Sequence, residues 1–568
     1  MEDGDGGGAT EAGQTGATGV RRSARSNLGR PPRNWWEVDH GDGDEVDEEP
    51  AGGDTAFAVV VPVKEALAGE EQEQYMLAYE QERSSMTARG VFSLVRSSEV
   101  PGHARVLPSQ VVFSKKLLAD GSLDKYKARI CVNGNRQRAG VDYDPGELFA
   151  PVAKFTSFRV LVALAAANGW TLRQFDVETA FLYADLEEEV YVRPPKGFEE
   201  YDEEGNALVW LLHKSLYGLR QAPRNWREVF KRFLVEEQGL RQTQRDPCVY
   251  VKVDQAARRL QGVMAVHVDD VPNGAGDEQW YAEFLRALKR RFNFKEGPLQ
   301  WCLGVEVVVD ETSVLLRQTQ YIRDMLVKYG MEDCKPASVP LDPGSVFSTA
   351  DSAKSEEERA EMARMPYRGL VGSLLYCAVA TRPDIAVAVS KLAHVMASPG
   401  PTHYRRALYV LRYLKGTMEL GIKYSKREIS NVLEAYTDAD YAGCPDTYRS
   451  TSGYVFMLNG GPVSWMSKLQ QTVAVSTTEA EYMAASFCAS EVMFLRGLLE
   501  DVGFAQQGPT LLHEDNQGAV HLMKNEVLHT RAKHIHVRYH QIREFVAQKY
   551  IRVGEINFTS ETCTSRVL

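Results

Sequence analysis

The stretch "AVHVDDVPNG", residues 265–274, places two adjacent aspartates, Asp269 and Asp270, between a short apolar run and a Gly-bearing turn. Its alternation predicts a β-hairpin with the acids at the tip. Neighbouring carboxylates repel each other, and most such pairs are solvated turns. A second acid changes the weighing: about ninety residues upstream, "RQFDVETAF" (173–181) ends a predicted strand on Asp176. A strand-end acid and a hairpin-tip pair converge when their strands share a sheet. Three clustered carboxylates are costly unless a cation holds them. Mg²⁺ takes oxygen ligands and shares them with phosphates. Paired ions of this kind activate a hydroxyl and stabilise a leaving pyrophosphate.

Length and composition bound the reading. The 568 residues suffice for two to four domains. With 44% hydrophobic and 25% charged residues, the composition is that of an ordinary globular chain. No apolar run approaches the ~18 residues of a membrane span, so no membrane partner is expected. The net charge is −11, but residues 1–55 carry thirteen acids and five arginines, a net of −8. The remainder is close to neutral, so charge neither supports nor excludes a nucleic-acid partner. Eight scattered cysteines without a CxxC pair argue against a zinc site or disulfide framework and for a reducing compartment.

Residues 1–58 form a Gly-rich acidic tail that cannot bury enough apolar surface to fold, and are expected to be disordered. Periodic sequence follows. "EEQEQYMLAYEQERSSM" predicts a helix, and "VLPSQVVFSKKLLADGSLDKYKARICVNGNRQ" a hairpin turning at "ADGS". "TSFRVLVALAAANGW" predicts an apolar helix ending at Gly169. A composition shift at 341–362 reads as a linker or exposed loop, with helices to about 416 and a strand-rich unit from about 430.

The segments "QFDVETAFLYADLEEEVYVRPPKGF", "KSLYGLRQAPRNW" and "VHVDD" resemble the reverse transcriptase of copia-type LTR retrotransposons, and "YKARICVNGNRQRAGVDYDPGELFAPVAKFTSFRVLVALAA" is similar to its fingers region. The match runs in the family's order from about residue 60 to about 550. It implies an α+β right-hand polymerase, with fingers and palm over 59–310 and a thumb or connection region over 311–428. Asp176, Asp269 and Asp270 are then catalytic metal ligands for Mg²⁺, with Mn²⁺ as the alternative. Phe181 matches an aromatic gate that would clash with a ribose 2′-hydroxyl; the plainer reading is a core Phe. Gly218 would allow close approach of nucleotide or template, and Gln221 would be a polar contact. Lys116, Lys127 and Arg129 would hold the triphosphate, although a lone lysine is more often solvated. "WCLGVEV" (301–307) resembles the primer-grip hairpin, with Gly304 at its turn. The implied partners are an RNA template, a DNA primer, RNA–DNA hybrid and deoxynucleoside triphosphates. The implied setting is a cytoplasmic particle or the nucleus.

The C-terminal unit carries a second set. Asp438 ends a strand in "AYTDADYAG", Glu481 lies in the helix of "TEAEYMAA", and Asp515 ends a strand in "LLHEDNQGA". Strand-end Asp, helix Glu and strand-end Asp is the arrangement of an α/β RNase H-like domain, over 429–568, again with catalytic metal ligands. Glu479 is the alternative to Glu481. "DADYAG", "STSGYVF", "STTEAEY", "DNQGAVHLMKN" and "RAKHIHVRYHQIRE" are similar to the copia-type RNase H region, which cleaves the RNA of hybrids and reads their shape and 2′-hydroxyls. Three departures point to divergence or decay: His536 where the family has Asp, Pro272 two residues after the Asp pair, and a C-terminus that stops before the family's tail. The competing expectation is therefore a catalytically decayed remnant that binds nucleic acid or serves as a structural protein.

Overall fold

The computed structural model describes residues 58–117, 122–254, 256, 259–342, 344–427, 430–525 and 537–556. The expected tail disorder, most of the "ADGS" turn and His536 lie outside the described residues.

The hairpin read from the sequence forms as Ser109–Leu117 and Leu123–Val132, joined by Ala58–Val61 into a three-stranded sheet. Helix Gln72–Ala88 accompanies it. A five-stranded sheet built on Phe92–Arg96, Ala207–Lys214 and Asp185–Val192 lies beside it.

The centre of the chain is an antiparallel six-stranded sheet. Its order is Arg241–Gln242, Val249–Asp254, Arg259–Ala265, Asp270–Ala275, Thr171–Val177 and Phe294–Pro298. Helix Phe155–Asn168, ended by left-handed Gly169, packs on this sheet. Apart from Ser157 and Arg159 its buried residues are apolar, and burial runs unbroken from Ser157 to Ala167. The opposite face is covered by Trp226, Phe230, Phe233, Phe284 and Phe292 in a second core.

Pro272, expected to sit poorly inside a paired strand, is inside one. The Val177 amide donates to the Asp269 carbonyl at 3.0 Å, and the register alternates from there, so Pro272 opposite Gln174 is a non-hydrogen-bonded pair. Its nitrogen faces the Arg259–Ala265 strand, where the ladder lapses between Met264–Asn273 and the His267–Asp270 bridge. Proline here removes one rung.

A four-stranded sheet, Trp301–Cys302, Val305–Val309, Ser313–Arg317 and Ile422–Ser425, straddles the boundary expected at 310 and joins the central sheet to a helical region over 319–416. The presumed linker 341–362 contains the start of helix Glu356–Arg364, which opens on a capping box at Ser355.

The C-terminal sheet runs Gly461–Leu469, Thr451–Leu458, Glu434–Asp440, Thr510–Glu514 and Ile551–Glu555; the first three are antiparallel and the last two join in parallel. Helix Thr477–Asp501 packs across it. By length and mean hydropathy alone this helix could cross a membrane, although charged residues interrupt its apolar sequence. Its apolar residues face the sheet, and Tyr482, Cys488, Leu495 and Leu499 lie in a core continuous with Leu161 and Val263 of the central unit.

Candidate active sites

At the central site, a two-residue turn closes the hairpin. His267 and Asp270 exchange backbone hydrogen bonds of 2.9 and 3.1 Å, leaving Val268 and Asp269 at the tip. Val268 has φ 58°, a strained value for a β-branched residue. The Trp226 indole N–H holds this turn by donating to the Val268 carbonyl at 2.8 Å. Asp270 stands opposite Asp176. Theirs is also a non-hydrogen-bonded pair, the kind in which facing side chains come closest.

Lys295 is the register partner of Asp176 on the other side. Burial works against its charge, but Glu178, 3.4 Å away, and Asp176 hold its pKa above the ordinary lysine value. Lys125, from the Leu123–Val132 strand, is pushed the other way by burial and by Lys295, Lys127 and Lys116. These four lysines therefore share one small region beside Asp176. Lys116 pairs in register with Lys125, and Lys127 with Ser114. The Arg129 guanidinium lies 5.8 Å from the Tyr217 ring centroid, and its buried Nε has no hydrogen-bond partner. Glu82 closes this group: burial raises its pKa while Lys127 and Arg129 oppose the shift, and its Oε1 is buried and unsatisfied. Sequence reading missed Lys125, Lys295 and Glu82; the register of the Asp176 strand exposes the second.

Phe181 lies on a short 3₁₀ turn, only 8% exposed, edge-on to Tyr217 at 5.1 Å. Gly218 takes φ 88°, and a Cβ there would come 2.0 Å from the Val132 carbonyl oxygen. Its glycine requirement is thus met within the chain, where the Val132 amide donates to the Tyr217 carbonyl at 2.7 Å. Gln221 is buried; it accepts from Gln137 at 3.0 Å and donates to the Asp142 carbonyl at 3.1 Å. Both residues are committed to contacts within the chain. Gly304 sits at its expected turn with φ 67°. The neighbouring Cys302 thiol is pushed up by burial and by Asp270, which brings this hairpin to the site.

In the C-terminal unit, Asp438, Glu481 and Asp515 offer ligand oxygens all within 4.8 Å of one another. Among the described residues this is the only group so tightly gathered; Asp176, Asp269 and Asp270 are neighbours by register without closing to that distance. Burial, then Glu514 and Asp438, raises the Glu481 pKa to about 9. Burial also lifts Glu514, fully inaccessible and unnoticed in the sequence, to about 8. One oxygen each of Glu481 and Glu514 is buried without a partner. Such a donor set fits a cation, which would offset the burial and the mutual repulsion that raise these pKa values. Glu479 instead accepts from the Val475 amide at 2.7 Å at the helix start.

Residues 90–343 match the family model described as reverse transcriptase (RNA-dependent DNA polymerase). A putative transposon Ty5-1 protein of Saccharomyces cerevisiae is 32% identical over its whole length, covering 56% of this chain. The chain belongs to the copia-type retrotransposon Pol family. Its copia-type relatives include the retrovirus-related Pol polyprotein from transposon TNT 1-94 of Nicotiana tabacum, 40% identical over 87% of this chain and 36% of that one. The corresponding RE1 polyprotein of Arabidopsis thaliana is 37% identical over 80% of this chain and 30% of that one. This copia-type chain thus spans about a third of the length of its plant relatives. It carries a mixed α/β reverse transcriptase domain.

Proposed function

We propose that the chain is an RNA-directed DNA polymerase joined to an RNase H-like nuclease that cuts the RNA of RNA–DNA hybrids. The observation that carries this reading is Asp270 facing Asp176 beneath the Asp269 turn, within a reverse transcriptase family domain. On this reading the six-stranded sheet is the palm, the Ser109–Val132 hairpin belongs to the fingers, and the helices after Arg317 form the thumb and connection. The C-terminal sheet is the nuclease.

Asp176, Asp269 and Asp270 hold divalent metal at the first site, and Asp438, Glu481 and Asp515 at the second. The oxygen-only donors suit Mg²⁺, with Mn²⁺ as the alternative. Bound metal supplies Lewis acidity toward the attacking and leaving oxygens. Lys116, Lys127 and Arg129, with Lys125 and Lys295, hold the triphosphate of a deoxynucleotide. Phe181 bounds the sugar pocket from its seat on Tyr217. Gly218 and Gln221 act through the shape of the wall. An RNA template and DNA primer occupy the cleft, and their hybrid passes to the second site.

The competing reading, a non-catalytic remnant, rests on Pro272 and His536. Pro272 costs one ladder bond at a place that leaves the aspartate register intact. Primer extension on an RNA template with Mg²⁺ separates the two: the polymerase reading requires template-dependent DNA synthesis, and the remnant reading requires binding without it.

A further inference from the structure

Arg159, in the central helix Phe155–Asn168, is 4% exposed, yet its guanidinium hydrogen-bonds to backbone carbonyls and the Thr156 hydroxyl rather than to a carboxylate. Its guanidinium instead joins three parts of the chain. One nitrogen donates to the carbonyls of Val379 and Ala380, at 2.7 and 2.9 Å, in the last turn of helix Tyr367–Ala380. Nε donates to the Val463 carbonyl of the C-terminal sheet at 2.8 Å. The plane lies 4.0 Å from the Trp465 ring centroid, and the Trp465 indole donates back to the Ala378 carbonyl at 2.8 Å. The arrangement offsets the burial of a charge: carbonyls at a helix C-terminus lack intrahelical partners and carry the negative end of the dipole, and an indole face attracts a cation.

The junction lies on a continuous line between the two carboxylate sites. Cys302 adjoins Asp270, and the Tyr376 hydroxyl of helix Tyr367–Ala380 donates to the Leu303 carbonyl. The strand bearing Trp465 pairs with Thr451–Leu458, which pairs with the Asp438 strand. Secondary contacts hold the same seam: Asn459 donates to the Ala163 carbonyl at 3.1 Å, and the Gln244 and Arg245 amides donate to Asp501 at 2.8 and 3.0 Å.

We propose that Arg159 is a positioning residue that fixes the second carboxylate site relative to the first, so that RNA is cut at a set distance behind the growing primer end. The proposal rests on the two-site reading given above. The nuclease is then a part of the polymerase body rather than a tethered attachment, and one hybrid occupies both sites in a single register. Losing the guanidinium leaves the buried Ala380 and Val463 carbonyls, and the more exposed Val379 carbonyl, short of a donor and frees the seam to shift.

The test uses the full chain, a labelled RNA template and a DNA primer stalled by a chain terminator. The parent gives a narrow cluster of RNA cuts. Arg159→Met and, from the other side, Trp465→Leu raise the fraction of cuts outside that cluster roughly two- to thirtyfold, while primer extension persists. Arg159→Lys gives a smaller spread. A merely structural role would lower thermal stability without moving the cut positions of the folded enzyme. A second measurement needs no nuclease activity: the distance distribution between probes at the exposed Gln279 and Gln507 is narrow in the parent and broadens in Arg159→Met. Unchanged cut positions, or an unchanged distance distribution, in folded Arg159→Met overturns the proposal. A parent that never cuts hybrid but shows the narrow distribution refutes the nuclease reading and leaves the lock in place.

Discussion

Asp270 and Asp176 stand opposite each other on adjacent antiparallel strands, and Lys295 flanks Asp176 on the next strand. The sheet therefore presents a row of two acids and a cation across three strands. On the proposed reading the acids would gather metal, and the cation would lie where phosphate charge accumulates. The hairpin lysines close over the same row.

Arg129→Ala is expected to weaken use of every deoxynucleotide alike. A hydrogen bond to a charged group is worth about 1.5–3 kcal/mol, so kcat/KM should fall roughly ten- to hundredfold. Steady-state single-nucleotide incorporation checks this. A change confined to one base would assign Arg129 to template reading instead.

Phe181→Val is expected to admit ribonucleotides, because on the proposed reading the ring standing on Tyr217 would bound the sugar pocket. It also empties part of a buried site and should cost stability, on the order of 1–3 kcal/mol. Incorporation ratios for matched ribo- and deoxynucleotides decide the point. An unchanged ratio in an active variant would leave Phe181 an ordinary core residue.

The second site gives a pH prediction. Glu481 and Glu514 rise from the ordinary 4.5 to about 9 and about 8 when folded without metal. A carboxyl whose folded pKa is raised contributes stability that is complete below 4.5 and is lost progressively as pH climbs from 4.5 to the folded values of about 8 and about 9. The metal-free protein should therefore melt at progressively lower temperature over that window, and Glu514→Gln should flatten the decline. Melting curves across pH, with and without Mg²⁺, test this; Mg²⁺ should restore stability at the alkaline end. A flat profile would mean that both glutamates are ionised and solvated.

His536→Asp is expected to raise Mg²⁺-dependent cleavage of a labelled hybrid, by roughly tenfold to a thousandfold if the position helps hold metal. The parent should cut better in Mn²⁺, which accepts nitrogen ligands more readily. Efficient parental cleavage in Mg²⁺, with no gain in the Asp variant, would place residue 536 outside the metal site.

Much of this arrangement is legible in the chain. Local pattern locates the Asp269 hairpin, and the apolar run before Gly169 predicts the central helix. What escapes is whatever depends on two distant segments meeting. Nothing local marks Lys295 as the neighbour of Asp176, because strand register is a tertiary fact. Glu514 reads as an ordinary strand residue beside Asp515 until the helix bearing Glu481 covers it. Arg159 looks like a polar interruption in an apolar helix and proves to be the meeting point of three units. Pro272 misleads in the opposite sense: the local rule is sound, but which side of the strand needs its N–H depends on a register the sequence does not display.

The central claim is that the carboxylates around the Asp269 turn carry DNA synthesis, and primer extension by Asp269→Asn tests it most directly. The amide keeps the size and removes the charge that holds metal. With an RNA template, a DNA primer, deoxynucleoside triphosphates and Mg²⁺, the parent should extend the primer. The variant, folded by circular dichroism and melting, should lose at least roughly a hundred- to a thousandfold in rate. Extension by the variant at the parent's rate would contradict the account.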